Sequence, residues 1–285
     1  MNTRLIGQTH VGAIGLGAMP MSVHGHMPDE AQSIRTIHAA LDAGVTLIDT
    51  ADAYTPSSDQ VGHNERIVAK ALTSWTGDTS GVLVATKGGH TRTVDGGWQV
   101  NGRPDYLAEA CDRSLKALGV EAIGLYQHHR PDPAVPYEET IGGLRDLLDT
   151  GKILMAGISN ANPEQIRLAH EILGGRLASV QNQYSPRFRS SEPEIDVCAE
   201  LGLAFLPWSP LGGISSASEL GGQHAAFARV AAERGVSPQQ VCLAWELARS
   251  PVVIPIPGAS RPETIVDSAA ATDLVLTADE LALLA

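Results

Sequence analysis

The sequence predicts an α/β fold: a (β/α)8 TIM barrel with an N-terminal β-hairpin and a short C-terminal helix. Three observations lead there. Apolar, strand-like runs alternate with amphipathic helical stretches along the chain, the pattern of a parallel sheet covered on its outer side. Eight strand-then-helix units follow the opening hairpin, which implies closure into a ring. The length, 285 residues, suits one barrel of roughly 250 residues, and no linker or shift in composition divides residues 1–285, so a single domain is expected.

Composition narrows the partners. Hydrophobic residues make up 43% of the chain and glycines number 29, as expected of a globular α/β protein with many tight turns. A formal charge of −12 argues against nucleic acid or an anionic membrane, both of which need a basic surface. A small anionic ligand held by a few local Lys or Arg remains compatible with it. The three cysteines, Cys111, Cys198 and Cys242, have no C-x-x-C spacing and fall in helical patterns, so they read as small core hydrophobes rather than disulfide partners or zinc ligands. There is no basic-then-apolar leader and no run of ~18 apolar residues, so a soluble cytoplasmic protein is expected.

Taken in order, Arg4 to Leu16 carry glycines among short apolar pieces, read as a hairpin and then a first strand, Ala13–Gly17. The Gly12-x-x-Gly15-x-Gly17 spacing is not G-x-G-x-x-G, and no ribose-binding acid follows it, which speaks against a Rossmann domain. After the polar loop Met21–His26, Pro28-Asp-Glu30 opens a helix whose inner stripe is Ile34, Ile37, His38 and Leu41. Thr46–Ile48 is a short buried strand that delivers Asp49 and Tyr54 into a loop, and Asn64 is expected to cap a helix through Leu72. Strand Val82–Thr86 ends at Lys87, and a glycine-rich rim around Asp95-Gly-Gly97 leads to helix Pro104–Leu118. Strand Ile123–His128 ends at His129, and helix Tyr137–Asp149 stops at Gly151. Strand Ile153–Ile158 ends at Ser159-Asn160, followed by helix Pro163–Leu173, strand Ser179–Gln183 and helix Pro193–Leu201. Strand Ala204–Trp208 ends at Ser209, and a long loop precedes helix Gln223–Arg234 and a second helix after Ser237-Pro238. Strand Val252–Ile256, helix Pro262–Ala271 and a tail helix from Ala278 complete the chain.

In such barrels the site is assembled where strands run into their following loops. Those positions hold Asp49 and Tyr54, Lys87, His129, Ser159 and Asn160, Gln181, and Trp208 and Ser209. Taken singly each has a plain reading: Asp49 as a turn former, Lys87 as a solvated lysine, Trp208 as core, Ser159-Asn160 as a helix cap. Their succession at neighbouring strand ends favours chemistry. A phenol has a free pKa near 10, and a neighbouring Lys87 ammonium is expected to lower it, with Asp49 neutralising and orienting the lysine. His129 would share a proton with Tyr54 or donate to an incoming oxygen. The set suits delivery of a proton to an oxygen on which charge is building.

The pieces Gly44–Tyr54, Ala85-Thr-Lys87, Leu125–Asp132, Gly157–Asn160 and Pro207–Gly212, in that order, make the chain resemble the aldo-keto reductases from Ile14 to its tail. The resemblance implies a catalytic tetrad of Asp49, Tyr54, Lys87 and His129. Of the two adjoining histidines His129 matches the family position, and strand alternation puts His128 on the other face. It also implies NADPH held extended across the barrel mouth. Asp49 would lie near the nicotinamide ribose, and Ser159, Asn160 and Gln181 would bind the carboxamide. Trp208 would stack on the nicotinamide ring, Ser209, Leu211 and Gly213 would line the pyrophosphate, and Gly258, Ser260 and Arg261 would take the adenosine phosphate. Thr264 and Asp267-Ser268 depart from the usual adenine-end residues. Arg261, a guanidinium suited to a phosphate dianion, keeps NADPH the expected cofactor, with NADH as the alternative. The implied reaction is reversible hydride transfer to an aldehyde or ketone, with Tyr54 as general acid and no metal. His24, Trp98, His128 and Arg130, with Met27, are the expected substrate-loop residues, and a monomer or small homo-oligomer the expected state. Two other readings stand beside it. One is a non-catalytic NADP-binding, redox-sensing subunit on the same fold. The other, more distant, is a metal-dependent barrel hydrolase that would use His24-Gly-His26.

Overall fold

A computed structural model of the chain describes residues 1–23, 27–213 and 224–285. It opens with an antiparallel hairpin, β1 (Thr3–Ile6) and β2 (Thr9–Gly12), in which Ile6 faces Thr9 across a turn that puts Gly7 at φ 57°. The hairpin closes the floor of the barrel. Its buried Ile6 and Val11 pack in one cluster with Leu47, Leu125, Leu206 and Ile254. Arg4 fixes it there, its guanidinium donating to the carbonyls of Leu247, Ser250 and Val253.

The main sheet has seven strands, each hydrogen-bonded in parallel to its neighbours: β3 (Leu16–Gly17), β4 (Leu47–Asp49), β5 (Leu83–Gly88), β8 (Ile123–His128), β9 (Ile153–Ser159), β10 (Leu177–Gln181) and β11 (Ala204–Phe205). Spatial order follows chain order, and residues 252–258 close the ring, bridging Phe205 through Val253 and Gly17 through Gly258. The fold is a (β/α)8 barrel. The eighth strand expected over Val252–Ile256 forms bridges rather than a continuous ladder, because Pro255 and Pro257 carry no amide hydrogen. Gly15 and Gly17 donate to the Pro255 and Pro257 carbonyls at 2.9 Å, while Ile254 donates to Phe205 at 2.8 Å on the other side. Gly17 must be glycine here, since a Cβ would lie 2.8 Å from the Ile256 carbonyl oxygen.

Around the sheet run α1 (Glu30–Asp42), α2 (His63–Ser74), α3 (Pro104–Leu118), α4 (Tyr137–Asp149), α5 (Pro163–Ile172), α6 (Glu192–Leu201), α7 (Ala225–Arg234), α8 (Pro238–Arg249) and α9 (Pro262–Ala270), with α10 (Ala278–Leu284) as the tail. Local sequence explains their starts. Asp29 caps α1 by accepting from Gln32 N, and Asn162 forms a capping box with Gln165 before α5. Proline opens α3, α5, α8 and α9, where its missing N–H has no helical partner to lose.

Two expectations are corrected, and one plain alternative is excluded. Asn64 does not cap α2, which starts after Gly62 (φ 80°); its buried side chain instead accepts from Thr50 Oγ1 (2.7 Å) and donates to Ala18 O (2.9 Å) and Ser22 Oγ (2.7 Å). The cap ahead of α5 is Asn162 rather than Ser159-Asn160. The glycine-rich rim is not a plain loop: β6 (His90–Arg92) pairs antiparallel with β7 (Trp98–Val100), Arg92 directly opposite Trp98 with its guanidinium carbon 4.2 Å from the indole. Cross-strand cation–π packing stabilises a short ribbon that its glycines disguise. The expected start of α7 at Gln223, like His24 and His26, lies outside the described residues.

Candidate active site

Period-2 alternation writes the site into the barrel. Outward-facing Ile48, Val84, Tyr126, Ile158 and Val180 pack under the helices. The alternate residues point inward and form rows: Leu47 then Asp49, Leu83 then Ala85 then Lys87, Leu125 then Gln127, Ser179 then Gln181. The lower part of each row is apolar or small and its last member is polar. Sheet register then sets these polar ends side by side, Lys87 opposite Gln127 and Ser159 opposite Gln181.

Fully buried Lys87 is the hub. Its Nζ donates to Asp49 Oδ1 (2.6 Å), Thr50 O (2.9 Å) and the Tyr54 hydroxyl (3.2 Å). The other carboxylate oxygen of Asp49 accepts from Gln181 Nε2 (2.7 Å) and Gln127 Nε2 (3.3 Å). A buried ion pair is tolerable only when its remaining hydrogen-bonding capacity is filled, and here it is. His129 meets Tyr54 edge-on, ring centres 5.7 Å apart, so side chains from three strand ends gather at one place, three of them joined by hydrogen bonds and His129 by ring contact.

Burial decides the protonation states. It lowers the Lys87 pKa, but the Asp49 charge, the Tyr54 hydroxyl and their hydrogen bonds together raise it further, so the ammonium persists. Burial, followed by Lys87, His90, Arg130 and His128, pushes His129 well below its ordinary value, leaving a neutral imidazole at pH 7. Tyr54 departs from the sequence-based expectation: its pKa is raised, because burial outweighs the opposing pull of Lys87. The resting group is a phenol. Asp52, in the same loop, is buried, and no side chain among the described residues hydrogen-bonds its carboxyl; burial and then Glu65 drive its pKa well up, against smaller opposing effects that include the Ala53 amide.

Asp49, Tyr54 and His129 line a cavity of about 490 Å³, within the range of small-molecule sites, with Lys87 buried behind them. Of the residues singled out from the sequence, Asp49, Tyr54, His129, Ser159, Asn160, Gln181, Trp208, Ser209, Leu211, Gly213 and Gly258 line it, with Trp98 and Arg130 on the wall beyond His129. Asn160 (φ 58°) and Ser209 (φ 51°) are the described non-glycine residues in the left-handed region, and both sit on this rim. Asn160 Nδ2 donates to His129 O and to Ser159 Oγ, and Ser159 Oγ to Gln181 O, so strand ends four, five and six are stitched together.

Other expected residues lie elsewhere. His128 does not reach the cavity: it is buried on the outer face, 3.0 Å from where a Gly89 Cβ would be and 6.4 Å, ring to ring, from Tyr137. Burial holds its pKa down to about 4. Ser260 and Arg261 lie at the start of α9, with Thr264, Asp267 and Ser268 within that helix. Asp267 accepts from Ser237 Oγ (2.7 Å) and Gln240 Nε2 (2.6 Å), tying α9 to the start of α8, and Ser268 is buried. Arg261 is exposed and makes no ion pair among the described residues. His24 lies outside them. Gln127 and His90 were missed. Gln127 precedes a conspicuous histidine pair, yet its inward parity with Leu125 marks it, and His90 sits three residues beyond Lys87 in the supposed rim. Among the described residues no cluster of three or more His, Cys, Asp or Glu is placed to hold a metal ion, and no helix is long and apolar enough to cross a membrane.

Comparisons with known proteins bear on the family and the fold. The aldo/keto reductase family model matches residues 13–285. A Glycine max protein named Probable aldo-keto reductase 1 is 32% identical over 298 residues, covering 95% of this chain and 84% of its own length. An aldo/keto reductase from Klebsiella pneumoniae, solved in complex with NADP and acetate, superposes with a TM-score of 0.83 at 29% identity, covering 99% of this chain and 93% of that one. A glycerol dehydrogenase from Gluconobacter oxydans gives 0.84 at 27%, with coverage of 99% and 93%. With its barrel, its polar strand ends and a family match running from residue 13 to the last, the chain belongs to the aldo/keto reductase family, and is an oxidoreductase.

Proposed function

We propose that this protein reduces the carbonyl of an aldehyde or ketone with NADPH, reversibly, Tyr54 giving the proton. The observation that carries the reading is Lys87 Nζ bridging Asp49 and the Tyr54 hydroxyl at the floor of the cavity.

The cavity fits the cofactor. Trp208 lines it with an indole N–H that has no partner among the described residues, and a ring there offers a face to the nicotinamide. Asn160 and Gln181 spend their amide nitrogens on His129 O and Asp49, which leaves their oxygens to receive a carboxamide N–H. Ser209, Leu211 and Gly213 follow along the rim, where a Cβ on Gly213 would meet nothing within 4 Å, room for a pyrophosphate against backbone. Past Gly258, Arg261 makes no ion pair among the described residues and stands just ahead of α9, where a guanidinium at the positive end of a helix favours a phosphate. NADP(H) is the cofactor on this reading, and when bound it supplies or accepts the hydride.

The chain's own groups handle the oxygen. A carbonyl oxygen placed between Tyr54 and His129 receives hydrogen bonds from a phenol and a neutral imidazole. As negative charge builds there the oxygen becomes far more basic than a phenolate, so Tyr54 surrenders its proton despite its raised pKa. The phenolate left behind faces the Lys87 ammonium, itself held by Asp49. Lys87 therefore acts after proton transfer, by stabilising the phenolate, rather than by ionising the resting phenol.

The test is NADPH consumption with a panel of aldehydes by wild type and Tyr54→Phe, alongside cofactor titration by tryptophan fluorescence. Retained binding with turnover reduced about 10²–10⁴-fold supports the reading. Equal turnover removes Tyr54 from the mechanism, and binding without turnover by the wild type would make the protein a cofactor-binding subunit instead.

A further inference from the structure

The wall of the cavity beyond His129 carries a guanidinium, Arg130, in a protein whose formal charge is −12. Arg130 reaches it from the loop after β8, and His90 and Trp98 reach it from the β6–β7 ribbon. The His90 ring stacks on the Trp98 indole at 4.5 Å and 24°, and meets the edge of His129 at 4.8 Å. Arg92 packs on the same indole at 4.2 Å. No carboxylate among the described residues pairs with these groups. Among the described residues the one acidic side chain lining the cavity is Asp49, already occupied by Lys87, Gln181 and Gln127. Arg92 and Arg130 form no ion pair among the described residues, and Arg92 Nε and His90 Nδ1 are buried without hydrogen-bond partners there.

Like charges brought together without a counter-ion cost free energy that a ligand of opposite sign recovers. Their mutual effect is visible: burial and then Arg130 and Arg92 hold the His90 pKa down to about 4, so its imidazole is neutral and can donate one hydrogen bond beside the guanidinium. Guanidinium groups match the planar oxygens of carboxylate and phosphate.

Resting on the reductase reading, we propose that the substrate is a carbonyl compound carrying an oxyanion, a carboxylate or phosphate, at the end remote from the carbonyl, bound by Arg130 and His90 while the carbonyl faces Tyr54 and His129. The ribbon is then a specificity element. It stands after the third strand, with Arg130 after the fourth, across the mouth from residues 208–213 and 258–261, so these groups are not those assigned to the dinucleotide.

The test compares 4-formylbenzoate and 4-formylphenyl phosphate with the uncharged methyl 4-formylbenzoate, in wild type, Arg130→Gln and His90→Phe. The expected result is a preference for at least one anionic aldehyde whose kcat/KM ratio over the ester falls at least tenfold in Arg130→Gln, and less in His90→Phe. The arm that falls further identifies carboxylate or phosphate. A calorimetric titration with terephthalate, which has no carbonyl to reduce, gives a readout independent of turnover and is expected to weaken about tenfold in Arg130→Gln. Terephthalate binding that needs Arg130 in a protein inert to every aldehyde would keep the oxyanion site and sink the reductase reading. Turnover with unchanged ratios in both variants would sink the oxyanion site and keep the reductase. An equal loss of NADPH affinity in Arg130→Gln would assign the cluster to the cofactor and overturn the proposal.

Discussion

Gln181 Nε2 donates to Asp49 Oδ2 at 2.7 Å, joining strands four places apart around the ring. An amide assigned from the sequence to the cofactor thus also anchors the buried carboxylate. Gln181→Leu removes a donor from a buried ionised acceptor, and a stability loss of about 1–3 kcal/mol is expected by urea unfolding at pH 7. NADPH should bind more weakly in the same variant. An unchanged midpoint with unchanged affinity would mean that Asp49 is held sufficiently by Lys87 and Gln127.

Lys87 and Tyr54 should separate stability from catalysis. Lys87→Met strips the counter-charge from a carboxylate that is itself buried, a loss of about 3–5 kcal/mol. Tyr54→Phe deletes one neutral hydroxyl, and its midpoint should stay within about 1 kcal/mol of wild type while turnover collapses. Similar unfolding midpoints for the two variants would contradict the hub geometry.

Two aspartates three residues apart should respond oppositely to amidation. Asp52 has a folded pKa well above its unfolded value, so between the two the native state holds a proton that the unfolded state has released. Stability therefore falls as pH rises above about 4 towards the folded pKa. Asp52→Asn removes that slope and should be more stable than wild type at pH 8, with the advantage vanishing near pH 4. Asp49→Asn, which breaks the pair with Lys87, should be less stable than wild type at pH 8. Denaturation midpoints across pH 4–8.5 decide it, and a destabilised Asp52→Asn at pH 8 would show that the carboxyl is ionised and paired.

The adjoining histidines give a further contrast. His128 titrates at about 4 in the fold against 6.5 when unfolded, so below pH 6.5 the unfolded chain binds the extra proton and stability declines as pH falls towards 4. That contribution is on the order of 3 kcal/mol for a fully buried ring. His128→Leu should flatten the acid side of the stability profile and spare turnover. His129→Leu should cut turnover about 10²–10⁴-fold. A turnover loss in His128→Leu as large as in His129→Leu would refute the assignment by strand face.

Much of this architecture was legible because it rests on period-2 alternation. Leu83, Ala85 and Lys87 announce both a strand and the direction in which its last side chain points, and the same parity separates His129 from His128. Legibility failed where a residue's partner is distant in sequence. Asn64 looks like a cap until Thr50, Ala18 and Ser22 are seen around it. The β6–β7 ribbon depends on Arg92 and Trp98 pairing across glycines that on their own mean a loop. The direction of the Tyr54 shift was also out of reach, since it turns on how much water the fold excludes rather than on which cation is near.

A ring of parallel strands needs only one poorly stitched joint to have a preferred place to part. Pro255 and Pro257 make that joint: between Val252 and Pro257 the last strand offers the first acceptors and no donors, and the amides of Gly15 and Gly17 do all the bonding. Deuterium uptake at those two glycines should outpace uptake at Ala85 or Val180, whose strands are laddered on both sides. The barrel would then breathe beside Gly258, at the edge of the cavity, while the hydrogen-bonded floor around Lys87 stays shut.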